Sequence, residues 1–283
     1  MASKKGMIKL SNENSPETTL NINAIPKCID EPAKELLSPS ASEIGLLLRD
    51  LISLKTGNIH FQAEKMRTVY ECELKLFKES LNQKLLAKPT EYLVAPKLQI
   101  VGSAAEKARF CIDEPQLSEM FQNLLVNAAD IRFQRDAHPS FSGMIEQMSP
   151  LDAQNLSLFK DNKSLPIAKY HLMLESDQYE VFYPNTFLAN AAIVDYDLQA
   201  SSISSLARFG LIEINYSSVI ASDAVYEPFE QFPQYIEMKS KIGEFFGSDS
   251  SGAKDKIIDV LIIKGAVMLT PLGSSFIKVC YSY

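Results

Sequence analysis

Residues 58–86 read NIHFQAEKMRTVYECELKLFKESLNQKLL and contain the strongest hydrophobic periodicity of the chain. Apolar residues recur there at steps of three or four positions: Ile59, Ala63, Met66, Tyr70, Leu74, Phe77, Leu81 and Leu85. Because lysines and glutamates occupy the opposite side, the pattern predicts one amphipathic helix about 40 Å long. We expect its apolar stripe to pack on shorter helices of the same chain; the alternative is a coiled-coil seam between two chains.

Shorter helical patterns lie on both sides of this stretch. Upstream, Ser40 and Glu43 fit a capping box ahead of apolar residues at helical spacing. Downstream, a proline follows two carboxylates at position 115, a typical helix start, and apolar periods predict three helices: residues 97–112, 115–128 and 140–148. The sequence therefore predicts an irregular N-terminal arm, residues 1–39, followed by an antiparallel helical bundle, residues 40–148.

Residues 149–283 combine helices with strands. Ser149 and Thr270 each precede a proline and predict capped helices, the first of which ends near Phe159. Alternating residues predict strands at Ile167–Leu174, Tyr179–Tyr183 and 211–216, the last with a partner at Gly265–Leu269. Helices are predicted at 185–193 and Leu198–Phe209. The segment between the last two strands is predicted to hold an insert helix at Gln234–Phe246 and a loop at 247–252. The predicted fold class is α+β, mainly α.

Two short segments of this half resemble winged-helix domains. SLARFGLIEI, Ser205–Ile214, resembles the end of the third helix and the first wing strand, and TPLG, Thr270–Gly273, resembles the turn that leaves the wing. Two departures are a hairpin-like insertion after the first helix and a long insert between the wing strands. The resemblance implies that residues 149–283 form a winged-helix-like α/β module with insertions.

The amino-acid composition excludes several classes of protein. Apolar residues make up 46% of the chain and charged residues 22%, which is typical of a globular protein. The net charge is −7, and residues 149–283 hold 10 basic and 16 acidic residues, a net −6. This balance disfavours a general nucleic-acid binder, which needs clustered Lys and Arg. No apolar run is long enough to span a membrane and no signal peptide is recognisable, so we expect a cytoplasmic protein with reduced thiols.

Motifs for metal or cofactor chemistry are absent from the sequence. The histidines, His60, His138 and His171, are far apart, and the four cysteines form no CxxC pair. The sequence also lacks a phosphate-binding glycine loop and a nucleophile elbow. We therefore expect no cofactor and no metal site. His171 alternates with leucines in a predicted strand, where we expect it to face solvent.

One charged cluster lies between the fourth and fifth predicted helices: Asp130, Arg132, Arg135, Asp136 and His138. The Arg132–His138 spacing resembles that of HEPN ribonucleases, in which Arg orients the scissile phosphate and His assists proton transfer. Pro139 disfavours helix at His138, however. We therefore favour a structural interpretation, in which His138 and Ser140 cap the fifth helix while Arg135 pairs with Asp130 or Asp136. A metal-independent ribonuclease using Arg132 and His138 is the alternative.

A DNA-binding transcriptional regulator is the second alternative. A winged-helix module would place residues 199–208, QASSISSLAR, in the major groove. That segment offers serines and Arg208 but no cluster of phosphate-binding cations. A protein-interaction module is therefore the favoured interpretation.

The chain as a whole resembles the bacterial abortive infection alpha family. The resemblance rests on the order of these phrases: SEIG (42–45), LRDL (48–51), GNIH (57–60), AEKMR (63–67), PKLQIVG (96–102), LSEMFQNLL (117–125), HPSF (138–141), LDA (151–153) and LARFGLIEI (206–214). It covers about residues 25–216 and implies a role in bacteriophage defence, with growth arrest or death of infected cells. The resemblance supplies no active site. We expect a non-enzymatic interaction protein that binds a protein partner or associates with itself.

Overall fold

The computed structural model describes Gly45 and residues 64–246 and 255–281, which form an α+β fold. The helices before Ser149 are α1 (Glu64–Leu86), α2 (Leu98–Ala108), α3 (Pro115–Ala128) and α4 (Phe141–Gln147). The later elements are α5 (Pro150–Ser157), β1 (Ser164–Leu174), β2 (Tyr179–Thr186), α6 (Tyr196–Arg208), β3 (Ile212–Asn215), α7 (Glu227–Glu230), α8 (Pro233–Ser240), β4 (Phe245–Phe246), β5 (Asp255–Leu269) and α9 (Pro271–Cys280). The predictions for residues 1–39, the cap at Ser40 and the loop at 247–252 lie outside the described residues.

Helix α1 confirms the long amphipathic period over the residues that the structure describes. Phe77, Leu81 and Leu85 are buried, and Tyr70 and Leu74 pack half-buried against the same core. The prediction for residues 58–63 lies outside the described part. The stripe packs within the chain over these positions, which is the interpretation we favoured.

A ladder of hydrogen bonds also joins α1 to α3. Its donors are spaced by four residues along α1 and just beyond its end, and its acceptors lie on α3: Ser80 to Gln122 (2.7 Å), Lys84 to Asn123 (2.6 Å) and Lys88 to Asn127 (2.9 Å). The amides of Asn123 and Asn127 also donate to the carbonyl oxygens of Cys280 and Val279 at the end of α9. Because a shift along the helix axis would break every rung, the ladder fixes the register of α1 and α9 against α3.

Helices α2 and α3 match the sequence in outline. Helix α3 begins at Pro115 as predicted, although the Glu114 side chain makes no capping hydrogen bond. Its predicted apolar face is buried: Leu117, Met120, Phe121, Leu124, Leu125 and Ala128. Helix α2 ends at Ala108, short of the predicted Ile112. The prediction that Leu98 lies on the buried face is wrong, since it is 67% exposed in the first turn of α2.

The sheet is antiparallel, with strand order β2–β1–β5–β3. β1 pairs with β5 from Ser164 opposite Met268 to Leu174 opposite Ile257, and β4 pairs with the start of β5. The pairing of β3 with the end of β5 confirms the predicted partner segment, with Ile214 opposite Val267. β5 begins much earlier than Gly265, because β1 provides a long pairing partner for it.

Two predicted helices differ from the structure. The helix predicted at 185–193 is wrong: Thr186 ends β2, and the following segment is a loop. The Gln199 amide donates to the carbonyl oxygens of Asn190 and Ile193 in this loop, so these groups need no helical partner. The insert helix ends at Ser240 rather than Phe246, ahead of Gly243 with a φ of 93°.

The sheet carries buried apolar residues on both faces. One cluster joins Phe121 and Phe141 from the N-terminal helices with Phe159, Ile203 and Phe276 from the later elements. A second, aromatic cluster holds Tyr170 of the sheet against residues in α7 and α8 and just before each of them: Tyr226, Phe229, Phe232 and Tyr235. The first core therefore includes side chains from both sides of Ser149. The division into a bundle and a winged-helix module stays a prediction.

The turn before α9 is fixed by a close backbone approach. The Thr270 hydroxyl accepts the Gly273 N–H, which confirms the predicted cap, and donates to the carbonyl oxygen of Gly210. An added Cβ at Gly273 would lie 1.9 Å from the carbonyl oxygen of Leu211. Only glycine fits there, so the start of α9 is locked to the start of β3.

Candidate functional site

The charged loop after α3 is organised around Asp130, which is 0% exposed. Arg132 donates to it from Nε (2.9 Å), Nη2 (2.6 Å) and the backbone N–H (3.0 Å). Lys88 Nζ lies 3.4 Å from Oδ2 of the same carboxylate. Burial acts to raise the pKa of Asp130, but the Arg132 hydrogen bonds and the Lys88 charge outweigh it and hold that pKa below its ordinary value.

Lys88 and Arg132 both form ion pairs with the Asp130 carboxylate. Burial lowers the pKa of Lys88, and the charge of Asp130 acts in the opposite direction. The Arg132 guanidinium carbon also lies 4.2 Å from the centre of the Tyr92 ring. The guanidinium plane is thus held by a carboxylate and an aromatic ring, in a position set by the fold.

His138 lies in a separate local arrangement. Its Nδ1 accepts the backbone N–H of Ser140 (3.2 Å) and lies 2.7 Å from the Ser140 hydroxyl, immediately before α4. Its contacts and those of Arg132 involve different residues, and no hydrogen bond joins the two side chains in the described part of the chain. The predicted cap at Ser140 is wrong, because its side chain makes no capping hydrogen bond at the start of α4, and the bond of His138 instead fixes the Ser140 N–H just before that helix. The predicted pairing of Arg135 is wrong, because Asp130 pairs with Arg132 and Asp136 with Lys278.

A groove of about 550 Å³ lies between the first turn of α5 and the outer face of α6. Its lining is mainly apolar and hydroxylic: Ser149, Pro150, Leu151, Asp152, Gln154, Ile193, Leu198, Ser201, Ser202 and Ser205. We call this surface the α5–α6 groove. Leu198 is 56% exposed and Val194, next to Ile193, is 77% exposed, so apolar side chains meet solvent at this end. No lysine or arginine lines the groove.

Asp152 is the one acidic side chain in this lining, and it has structural partners. It completes a capping box in which its carboxylate accepts the Ser149 N–H (2.9 Å) while the Ser149 hydroxyl accepts the Asp152 N–H. Ser205 of α6 donates to the same carboxylate at 3.3 Å. The box confirms the predicted cap at Ser149, and it places a negative charge at the helix end that would otherwise attract an anion.

A buried amide network supports the wall of the groove. Asn155 donates to the Ser202 hydroxyl (3.0 Å) and accepts from Asn190 (2.8 Å), and Gln199 holds the loop carbonyls of Asn190 and Ile193. Asn155 and Gln199 are 0% and 1% exposed. The network fixes Ile193 and Ser202, which line the groove, relative to α5. The sequence analysis did not predict this network. The only indication in the sequence was a set of polar side chains at helix positions that packing would bury.

Neither metal nor thiol chemistry gains support from the described residues. Among them, no group of three or more His, Cys, Asp or Glu could hold a metal ion. The prediction that His171 faces solvent is wrong: its Nε2 is buried without a hydrogen-bond partner, and burial lowers the pKa of the imidazole. Burial raises the pKa of the Cys111 thiol to about 11. Cys72 is disulfide-bonded, so the expectation of reduced thiols is wrong there.

No helix in the described ranges has the length and apolar character needed to cross a membrane. The structure thus defines an α+β protein with an apolar surface groove between two helices and a separate loop whose carboxylates are held in ion pairs.

The chain belongs to the abortive infection alpha family, whose model matches residues 69–280. The match begins later than the resemblance seen in the sequence and includes the last strand and helix, which the resemblance left out. No curated protein matches the chain. A solved structure of an uncharacterized protein from the hydrocarbon-degrading marine bacterium Alcanivorax borkumensis SK2 is similar over 54% of this chain and 96% of its own, with 13% identity and a TM-score of 0.33.

Proposed function

We propose that this chain acts in abortive infection as a non-enzymatic, cytoplasmic interaction protein, and that it contacts a protein partner through the α5–α6 groove. Family membership supports the biological role. The observation that carries the contact is the lining of the groove, where exposed apolar side chains stand on a wall fixed by buried amides. A contiguous apolar surface of this kind is typical of protein-binding sites.

The lining also favours protein over nucleic acid. Phosphate groups bind lysines, arginines and free N–H groups at helix starts. The groove has none of these cations, and the capping box already occupies two of the N–H groups at the start of α5, those of Ser149 and Asp152. If residues 149–283 form a winged-helix module, as we propose, its third helix presents leucine and serines for protein contact rather than for DNA.

The charged loop does not supply the proposed activity. The Arg132 guanidinium is held bidentately by Asp130, and His138 Nδ1 by Ser140, so both groups have structural partners. These contacts support the proposal that the chain has no catalytic residues.

The test is phage plaquing on bacteria that express wild-type protein or Leu198→Gln. The variant removes the exposed apolar anchor without adding charge, and Gln is well tolerated in the first helical turn. We expect the folded variant, checked by circular dichroism, to lose protection by at least about fivefold in plaquing efficiency, as truncation of an important contact costs more than about 1 kcal/mol of binding.

Val219→Gln is the matched control, because Val219 is an apolar residue exposed to a similar extent, 61%, and does not line the groove. This control should protect as well as the wild type. Full protection by Leu198→Gln would contradict the proposal. Loss of protection in both variants would show that the assay reports surface polarity in general, and it would contradict the proposal as well.

A further inference from the structure

We infer that the partner segment is an amphipathic helix whose apolar stripe is flanked by lysine or arginine. The inference rests on the proposed function of the α5–α6 groove and adds the chemistry of what the groove binds. It draws on the charges around the groove and on the geometry of its walls.

The charges at the groove are negative at both ends. Asp152 lies at the end formed by α5 and by Ser205 of α6. At the opposite end of α6, the Asp195 carboxylate accepts the N–H of Leu198, a lining residue, at 3.0 Å, and Asp197 is next to Leu198 in sequence. No lysine or arginine in the lining offsets these carboxylates, so a partner with cations at both ends would be complementary to them.

The carboxylates at the start of α6 also act on Tyr183. Burial raises the pKa of Tyr183, and Asp197, Glu237 and Asp195 raise it further. Asp195 and Asp197 belong to the start of α6, whereas Glu237 belongs to α8 and pairs with Lys241, so the first two are the charges that bear on the groove.

The walls of the groove favour a helix as the bound element. An extended strand binds by pairing with the edge of a sheet, whereas both walls here are helices, α5 and α6. From Leu198 to Ser205 the α6 wall spans two turns, about 10 Å. That length accommodates apolar anchors at positions i, i+3 or i+4, and i+7 of a partner helix, with basic residues beside the first and last anchors.

The experiment uses the full chain and two synthetic 15-residue amphipathic peptides with the same leucine stripe. Lysines flank the stripe in one peptide and glutamates in the other. Amide chemical shifts of Leu198 and of Ser201–Ser205 report binding in the groove. We expect the lysine peptide to bind at least roughly tenfold more tightly than the glutamate peptide at low salt, and the difference to shrink as salt is added.

The matching variant is Asp152→Asn, Asp195→Asn and Asp197→Asn combined. Asn retains the capping acceptors at the first two positions, so the fold is kept while three charges are removed. We expect it to bind the lysine peptide about tenfold less tightly than the wild type does. The control is Glu175→Gln, Asp177→Asn and Glu180→Gln combined, which removes the same charge from the exposed hairpin between β1 and β2 and should bind like the wild type.

Three outcomes would overturn the inference: equal affinity for the two peptides, equal weakening by the two triple variants, or no shift at the groove with either peptide. Its failure can be told from failure of the proposed function. If Leu198→Gln loses phage protection while the groove triple variant retains it, the contact stands and the basic partner is wrong. If both retain protection, both proposals are wrong.

Discussion

At the loop after α3, Arg132 and Lys88 converge on one buried carboxylate, whereas the α5–α6 groove presents leucine, isoleucine, proline and serine side chains to solvent. The loop has arginine and histidine, the residue types expected of a nuclease site, and the groove lining has neither. In the structure Arg132, Asp130 and Asp136 of the loop are all engaged in ion pairs, whereas the α5–α6 groove leaves apolar side chains open to a ligand. Charge density in a sequence therefore indicates where ions are paired as readily as where they react.

The largest effect we expect comes from Asp130→Ala. The variant leaves Lys88, whose side chain is 8% exposed, without its carboxylate partner, and it also releases Arg132. Breaking a buried pair by removing one member costs about 3–5 kcal/mol of unfolding free energy. Urea denaturation of Asp130→Ala measures this value.

Asp136→Ala is the matched control, because Asp136 pairs with Lys278 at the surface. It should cost less than about 1 kcal/mol. Equal stabilities of the two variants would mean that the Asp130 cluster is not the buried structural unit described here.

The same carboxylate predicts an acid dependence of stability. Its pKa is lower in the folded chain than the ordinary value, so its contribution is fully present above the unfolded value of about 3.9 and is lost as the pH falls through the folded value. The stability difference between wild type and Asp130→Asn should therefore be constant from neutral pH down to about pH 5 and shrink below pH 4. Urea midpoints measured from pH 7 to pH 3 test this; a difference that grows in acid would reverse the sign of the assigned shift.

A smaller effect is expected beneath the groove. Asn155→Ala removes the partner of both Asn190 and Ser202 inside the fold, and an unpaired buried polar group costs about 1–3 kcal/mol. The exposed Asn162, whose amide donates to the Leu158 carbonyl, supplies the control Asn162→Ala, which should stay within about 0.5 kcal/mol of wild type. Because Asn155 holds a groove wall, its variant should also weaken phage protection, while Asn162→Ala should not.

The features that the sequence predicts well are those decided by local physics. The cap at Thr270 depends on residues within three positions, and the capping box at Ser149 does as well. The buried face of α3 follows from helical spacing alone. The pairing of β3 with residues before Thr270 was also predictable, because both segments have strand patterns and flank the same turn.

The features that the sequence does not reveal depend on partners distant along the chain. The segment after Thr186 has a sequence that predicts a helix, but it forms a loop whose carbonyl oxygens accept hydrogen bonds from Gln199. Strand β5 lengthens because β1 lies beside it. The groove combines the start of α5 with α6, two elements that lie some fifty positions apart in the sequence. Ser205 Oγ and Asp152 Oδ2, for example, are 3.3 Å apart across it. No spacing rule within one segment indicates such a surface.

The smallest effect we expect is that of His138→Asn, and it separates the structural interpretation of the loop from the ribonuclease alternative. Asn can accept the Ser140 N–H in place of Nδ1, so stability should change by less than about 1 kcal/mol and protection should persist. Asn cannot transfer a proton near neutral pH, so replacing a catalytic His138 would instead lower the reaction rate by roughly 10²–10⁴ with stability intact.

Arg132→Ala provides the second measurement. It releases Asp130 and should lower stability, yet its folded fraction should still protect. Plaquing efficiency compared at matched amounts of folded protein decides the matter: loss of protection by both variants would support the enzyme, and retention by both would leave the groove as the functional surface.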